Sequence, residues 1–230
     1  SVFIKGQAPY RNVLVNDLIL DKNGKKMSKH VGNTVNPFEM LDKYGADATR
    51  WYLLHTSPAW SPTKFDEDGL IEITSKFFGT LRNVYNFFVL YSNQDNIDIG
   101  KVFVDYRKRP ELDRWILSKY NRLIDDVTEE MNRYDHMKTV RKIQNFVVED
   151  LSNWYIRRAR RRFWAEELTE DKKSVYATTY EILVGVAQLM APFAPFISDE
   201  IYTDLTGAES VHLSFFPKSD ADLIDEKVEE

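Results

Sequence analysis

A row of apolar residues at helical spacing constrains this chain more than any other feature. Leu70, Ile73, Phe77, Leu81, Val84 and Phe88 step by three and four, forming one stripe over about five turns. Leu112, Ile116, Tyr120, Leu123, Val127 and Met131 form a second stripe of the same period. Asp135 is placed to cap a long third helix reaching about Trp164. Val175 to Met190 reads as a fourth helix, stopped by Pro192, and Pro195 to Leu205 as a fifth, ended by Gly207. Amphipathic helices joined by short loops bury their apolar faces against one another, so residues 63–230 are expected to form an α-helical bundle.

The amino-terminal part reads differently. Asn12 to Leu20 (NVLVNDLIL) is β-branched and apolar, which predicts a strand, and Asp21-Lys22-Asn23-Gly24 is a turn signal. Asn36-Pro37 opens a helix, with Asn as cap and Pro at the first helical position. Gly45 punctuates it, and a second short helix is predicted from about Ala46 to His55. The stretch Ser57-Pro58-Ala59-Trp60-Ser61-Pro62 reads as a linker. The fold class is therefore mainly α, a small α/β segment (residues 1–62) followed by the bundle. Ser210 to Pro217 is expected to be extended, and the acidic tail to begin a helix.

Composition narrows the function classes. At 43% hydrophobic residues the chain is too apolar for disorder. It has no cysteine, hence no disulfide framework and no thiolate zinc site, and His30, His55, His136 and His212 show no metal-ligand spacing. No metal is expected. There is no basic leader or signal-type apolar block, so a cytoplasmic setting is expected. The most apolar stretch, Ile182 to Ile197, is broken by Gln188, Pro192 and Pro195 and falls short of the ~20 residues that span a bilayer, so no membrane association is expected. The net charge of −5 is uneven: Ser219 to Glu230 holds six acids and one Lys, leaving the other 218 residues formally neutral. Where the basic residues cluster therefore matters more than their total.

They cluster twice. Lys22, Lys25, Lys26 and Lys29 fall within eight residues around Gly24 and Gly32. Glycine permits tight backbone turns, and ammonium groups can follow a polyphosphate as charge shifts during phosphoryl or nucleotidyl transfer. On charge alone the same turn can be a solvated lysine cluster. Farther along, Arg157, Arg158, Arg160, Arg161 and Arg162 occupy five of six positions. At 100° per residue, Leu151, Tyr155, Ala159 and Phe163 run down one side of the helix, while Arg157 and Arg161 point almost directly away. Trp154 and Trp164 project within about 40° of that opposite pole. Guanidinium groups pair with phosphates and stack on bases, and exposed indoles can do the same. Two other readings remain open. Glu149, Asp150, Glu166 and Glu167 could neutralise the arginines within the helix, or both tryptophans could be buried against neighbouring helices.

The ordered strings go further. Lys26-Met27-Ser28-Lys29-His30 resembles the KMSKS signature of class I aminoacyl-tRNA synthetases, departing from it at His30, where the pattern has Ser. Lys43 to Arg50 (KYGADATR) resembles the segment downstream of that signature in the isoleucyl, valyl and leucyl branch. Asp150 to Trp164 (DLSNWYIRRARRRFW) is similar to the anticodon-binding domain of isoleucyl-tRNA synthetases, and Tyr44 to Leu54 and Leu112 to Leu117 (LDRWIL) favour that branch. Met190 to Tyr202 (MAPFAPFISDEIY) and Ser210 to Pro217 (SVHLSFFP) fit the same domain, so the resemblance spans about Pro9 to Pro217.

The resemblance implies that residues 1–62 end a catalytic region, with a loop that closes over ATP and a segment contacting the tRNA stem. Lys29 would steady the triphosphate, Lys26 support it, and Met27 and Ser28 place the loop. Trp154, Arg157, Arg158, Arg160, Arg161 and Trp164 would hold tRNA-Ile. A parent enzyme of this family uses ATP, Mg2+ and isoleucine, and a monomer is expected. The chain alone is expected to be inactive, since it contains no His-x-Gly-His string and its glycines exclude a Walker loop and a Rossmann fingerprint. A valyl-tRNA synthetase and a helical interaction domain without enzymatic parentage are the alternatives.

Overall fold

The computed structural model describes residues 2–229. Helix α1, Pro37–Tyr44, begins where Asn36 accepts the Phe38 N–H at 3.1 Å and Pro37 fills the first helical position. Gly45, at φ +85°, separates it from α2, Ala46–Thr56. Helix α3 runs over 67–94 and starts at the cap Asp66, which accepts the Asp68 N–H at 3.1 Å. All six residues of the first stripe are buried in it. Its middle, Ile73–Phe78, is π-helical, and this wider turn lets the consecutive Phe77 and Phe78 enter one core. Trp51 of α2 stacks on Phe77 at 4.5 Å between centroids and meets Phe78 and Phe193 edge-on. Helix α2 is therefore buried in the same core as the helices beyond residue 62.

Helix α4, Glu111–Asn132, carries the second stripe, with Ile116, Tyr120, Leu123 and Val127 buried. Helix α5 extends over 136–163. Asp135 caps it by accepting the Lys138 N–H at 3.0 Å, and it ends at Trp164. Its central stretch, Phe146–Ile156, is also π-helical. Helix α6, Glu170–Met190, starts one turn earlier than predicted because Thr169 accepts the Lys172 N–H at 3.1 Å. Helix α7, Pro195–Thr206, stops at Gly207, φ +69°. The acidic tail forms the short helix α8, Glu226–Glu229, held against α4 by Arg122, whose Nε donates to Glu229 at 2.7 Å. The architecture is a helical bundle preceded by a small α/β segment.

Two sequence expectations need correction. The predicted strand over Asn12 to Leu20 shrinks to β1, Ile19–Leu20, which pairs in parallel with β2, Thr63–Lys64. Residues 12–18 are exposed and form no strand; a strand exists only where a partner accepts its backbone, and β2 offers two residues. Ser210 to Pro217 is not extended throughout: Val211–Leu213 is a 3-10 turn. Asp199 bends it there, accepting Ser210 Oγ at 2.7 Å and the Val211 N–H at 2.8 Å.

Candidate functional site

The lysine-rich loop hangs from the edge of β1. Leu20 bridges Lys26 in antiparallel fashion, and Asp21 gathers the turn, accepting the Asn23 and Lys25 N–H groups at 3.0 and 2.8 Å. Gly24 permits this at φ +80°. Across the loop, Asn33 donates through Nδ2 to Asp21 at 2.8 Å and to the Lys26 carbonyl at 3.2 Å, and accepts the Ser28 N–H at 2.8 Å. The Asn33–Asp21 bond is the first of several that hold the Asp21 carboxyl below the usual carboxylate range. Ser28 closes a turn by accepting the Val31 and Gly32 N–H groups at 3.1 Å, so Lys29 and His30 stand at its apex. Lys26 and Lys29 are exposed, while Met27 and Ser28 are half-buried, Met27 against the core.

The arginine run resolves into two kinds of residue. Arg162 turns inward: its Nη1 and Nη2 donate to the fully buried Asp113 at 2.5 and 2.7 Å, and its Nε to Asp171 at 3.0 Å. Tyr155 Oη and Ser174 Oγ complete the ring around Asp113 at 2.8 and 2.6 Å. Arg157, Arg158, Arg160 and Arg161 are exposed, and among the described residues the ion pairs of this helix end involve Arg162 alone. Trp154 and Trp164 remain 45% and 53% exposed, so neither intra-helical neutralisation nor two-sided burial describes this face. Arg158 lies over the Trp154 ring, 3.6 Å from its centroid, and Trp115 of α4 stands 6.1 Å from Trp154.

Beside them opens a groove of about 730 Å³ lined by Trp115, Asp150, Trp154, Arg158 and Glu229. Burial, the largest of its causes, pushes the Asp150 carboxyl up. The face thus offers unpaired guanidinium charge for phosphates and flat aromatic surface for bases. Trp154 and Arg158 are brought together, and Arg157, Arg160, Arg161 and Trp164 share their helix end; no hydrogen bond or ion pair among the described residues links this face to the lysine loop. The sequence reading missed Asp21, Asn33, Asp113 and Trp115. Asp21 and Asn33 carried a signal in the turn residues flanking the lysines, and Trp115 in the aromatic gap of the second stripe.

Known proteins share this chain's sequence and fold. Residues 113–230 match the family described as anticodon-binding domain of tRNA ligase, and residues 1–66 match tRNA synthetases class I (I, L, M and V). The isoleucine–tRNA ligases of Porphyromonas gingivalis and Cytophaga hutchinsonii are 48% and 49% identical across the whole chain, which covers 20% and 21% of their lengths. The isoleucine–tRNA ligase of Thermus thermophilus is 44% identical over 98% of the chain and 22% of its own length. The chain thus spans about a fifth of the curated relatives it matches. These relatives do not favour the valyl alternative. Among solved structures, LeuRS of Agrobacterium radiobacter K84, in a ternary complex with tRNA and LeuAMS, shares the fold with a TM-score of 0.65. It is 23% identical over 90% of this chain and 24% of its own. Methionyl-tRNA synthetase of Mycobacterium tuberculosis, in complex with methionyl-adenylate, gives a TM-score of 0.63 at 22% identity over 80% of this chain and 36% of its own.

Proposed function

Since this chain belongs to the class I tRNA ligases that carry the anticodon-binding domain, we propose that it serves as the ATP-loop and tRNA-binding portion of an isoleucine–tRNA ligase. The parent enzyme activates isoleucine with ATP and Mg2+ and transfers it to tRNA-Ile, as a cytoplasmic monomer. Residues 1–62 end its catalytic region, and residues 63–230 bind the anticodon arm. Lys29, at the apex of its turn, holds the triphosphate, with Lys26 beside it; Met27 and Ser28 anchor the loop. Exposed ammonium groups free of carboxylate partners suit a polyphosphate. The isoleucine pocket belongs to other parts of the parent.

One observation carries the RNA-binding half of this reading: four exposed, unpaired arginines lie on one helix end between two half-exposed tryptophans. Phosphate contacts release condensed counterions, so affinity for tRNA-Ile should fall steeply as salt rises. In Arg157→Ala/Arg161→Ala the logarithmic salt slope should flatten by about one unit per lost phosphate contact. Binding of labelled tRNA across a salt series measures this, and a double variant equal to wild type would remove the arginine face from the mechanism. Equal affinity for tRNA-Ile and tRNA-Val would count against isoleucine specificity in this portion.

A further inference from the structure

Asn33 does more than trail the lysine signature. Its one amide joins three points of the loop: the Asp21 carboxylate at 2.8 Å, the Lys26 carbonyl at 3.2 Å and the Ser28 N–H at 2.8 Å. Asp21 in turn accepts the Lys25 N–H at 2.8 Å. The backbone before, between and after the two signature lysines is therefore tied to a single pair of side chains, while the lysine side chains stay in solvent. Gly32, at φ +73°, turns the chain back so that position 33 can reach across. Ser28 then closes the turn carrying Lys29.

We propose that Asn33 is a positioning residue, a latch with Asp21 that sets the turn carrying Lys29 before ATP arrives. This rests on the reading of the loop as the ATP-closing element. A lysine on an unlatched loop must be ordered during binding and reaction, and small misplacements of a charge-stabilising group are expensive in rate. Asn33 touches no phosphate in this role; it acts through the backbone on either side of Ser28.

The test uses the full-length synthetase and ATP–pyrophosphate exchange, with Lys29→Ala as control. Asn33→Ala should lower kcat by about tenfold or more, with the KM for isoleucine within about twofold of wild type. Asn33→Asp sets two carboxylates face to face and should be at least as impaired. The exchanged pair Asp21→Asn/Asn33→Asp should recover most of the activity. An amide at position 21 can donate to a carboxylate at position 33, which still accepts the Ser28 N–H. Independently of activity, hydrogen–deuterium exchange at the Ser28 amide should quicken in Asn33→Ala, with the melting temperature unchanged. Wild-type kinetics in Asn33→Ala beside an impaired Lys29→Ala would overturn the latch alone. An exchanged pair no better than Asn33→Asp, or an unaltered Ser28 amide, would also overturn it. A Lys29→Ala enzyme with full activity would bring down the loop reading and the latch with it.

Discussion

Asp113 has no solvent exposure and accepts hydrogen bonds from two nitrogens of Arg162, from Tyr155 and from Ser174. Removing it leaves a guanidinium and a phenol facing one another in a dry site. Asp113→Ala should therefore destabilise the chain by about 3–5 kcal/mol in urea unfolding. By contrast Arg157→Ala, in solvent and unpaired, should fall within about 0.5 kcal/mol of wild type. Five consecutive-looking arginines thus divide by environment rather than by type. At 100° per residue Arg162 lies only about 60° from Ala159, so the inward turn could have been read from the same wheel that placed Arg157 and Arg161 outward. Asp113 offered no such signal, because an acid in a first helical turn looks like an ordinary dipole partner until a second helix covers it. His55 supplies a pH test. Burial, then the nearby Arg141 charge, holds its pKa below the ordinary value. The unfolded chain therefore binds a proton here at a pH where the folded chain does not, so stability should decline as pH falls through about 6.5 and level off below the folded value. Denaturation midpoints of wild type and His55→Gln from pH 8 to 5 measure it; the variant should lose that part of the slope.

Helix packing reverses an ordinary rule at one glycine. Alanine normally replaces an interior helix glycine with a gain of about 1 kcal/mol. In α6, however, a Cβ on Gly185 would lie 1.7 Å from Tyr120 Oη and 2.4 Å from its Cζ. The buried Tyr120 ring has nowhere to retreat, so Gly185→Ala should lower stability by about 1–3 kcal/mol. Gly79 supplies the contrast: its added Cβ meets only the Thr74 carbonyl at 3.6 Å, in right-handed helical backbone, so Gly79→Ala should raise stability by about 0.5–1 kcal/mol. Thermal melts of the two variants should move in opposite directions. The apolar stripes and the caps Asn36 and Asp135 made these helices legible in the sequence, since both signals are local. The π-helical stretches were not, because packing decides whether Phe77 and Phe78 both face Trp51. The lost strand over 12–18 has the same origin: β propensity names no partner, and pairing depends on residues some forty positions away.

At the scale of the whole molecule, the charge imbalance of −5 resides in a tail that the fold brings back toward the proposed RNA face. Glu229 and Val228 line the same groove as Trp154 and Arg158, and Glu229 and Glu226 pair with Arg122 of α4. Sequence could show the tail's charge but not its place, because a short acidic helix docks through ion pairs that no periodicity records. Its position has a consequence for binding. Carboxylates beside the exposed arginines lower the positive potential that draws a polyanion in, and such effects act over about 10 Å at 0.1 M salt. Glu226→Gln/Glu229→Gln keeps side chains of the same shape, and glutamine Oε1 can still accept from Arg122. The variant should therefore bind labelled tRNA-Ile more tightly than wild type at 50 mM salt, chiefly through faster association. The advantage should shrink steadily as salt rises and vanish near 1 M, where the screening length falls to about 3 Å. Stability should drop only slightly, because Arg122 and Glu226 are partly in solvent. Anisotropy titrations across that range separate the alternatives. Equal affinities at low salt would place the tail's field out of reach of bound RNA, whereas an advantage unaffected by salt would point to a reshaped groove rather than to charge.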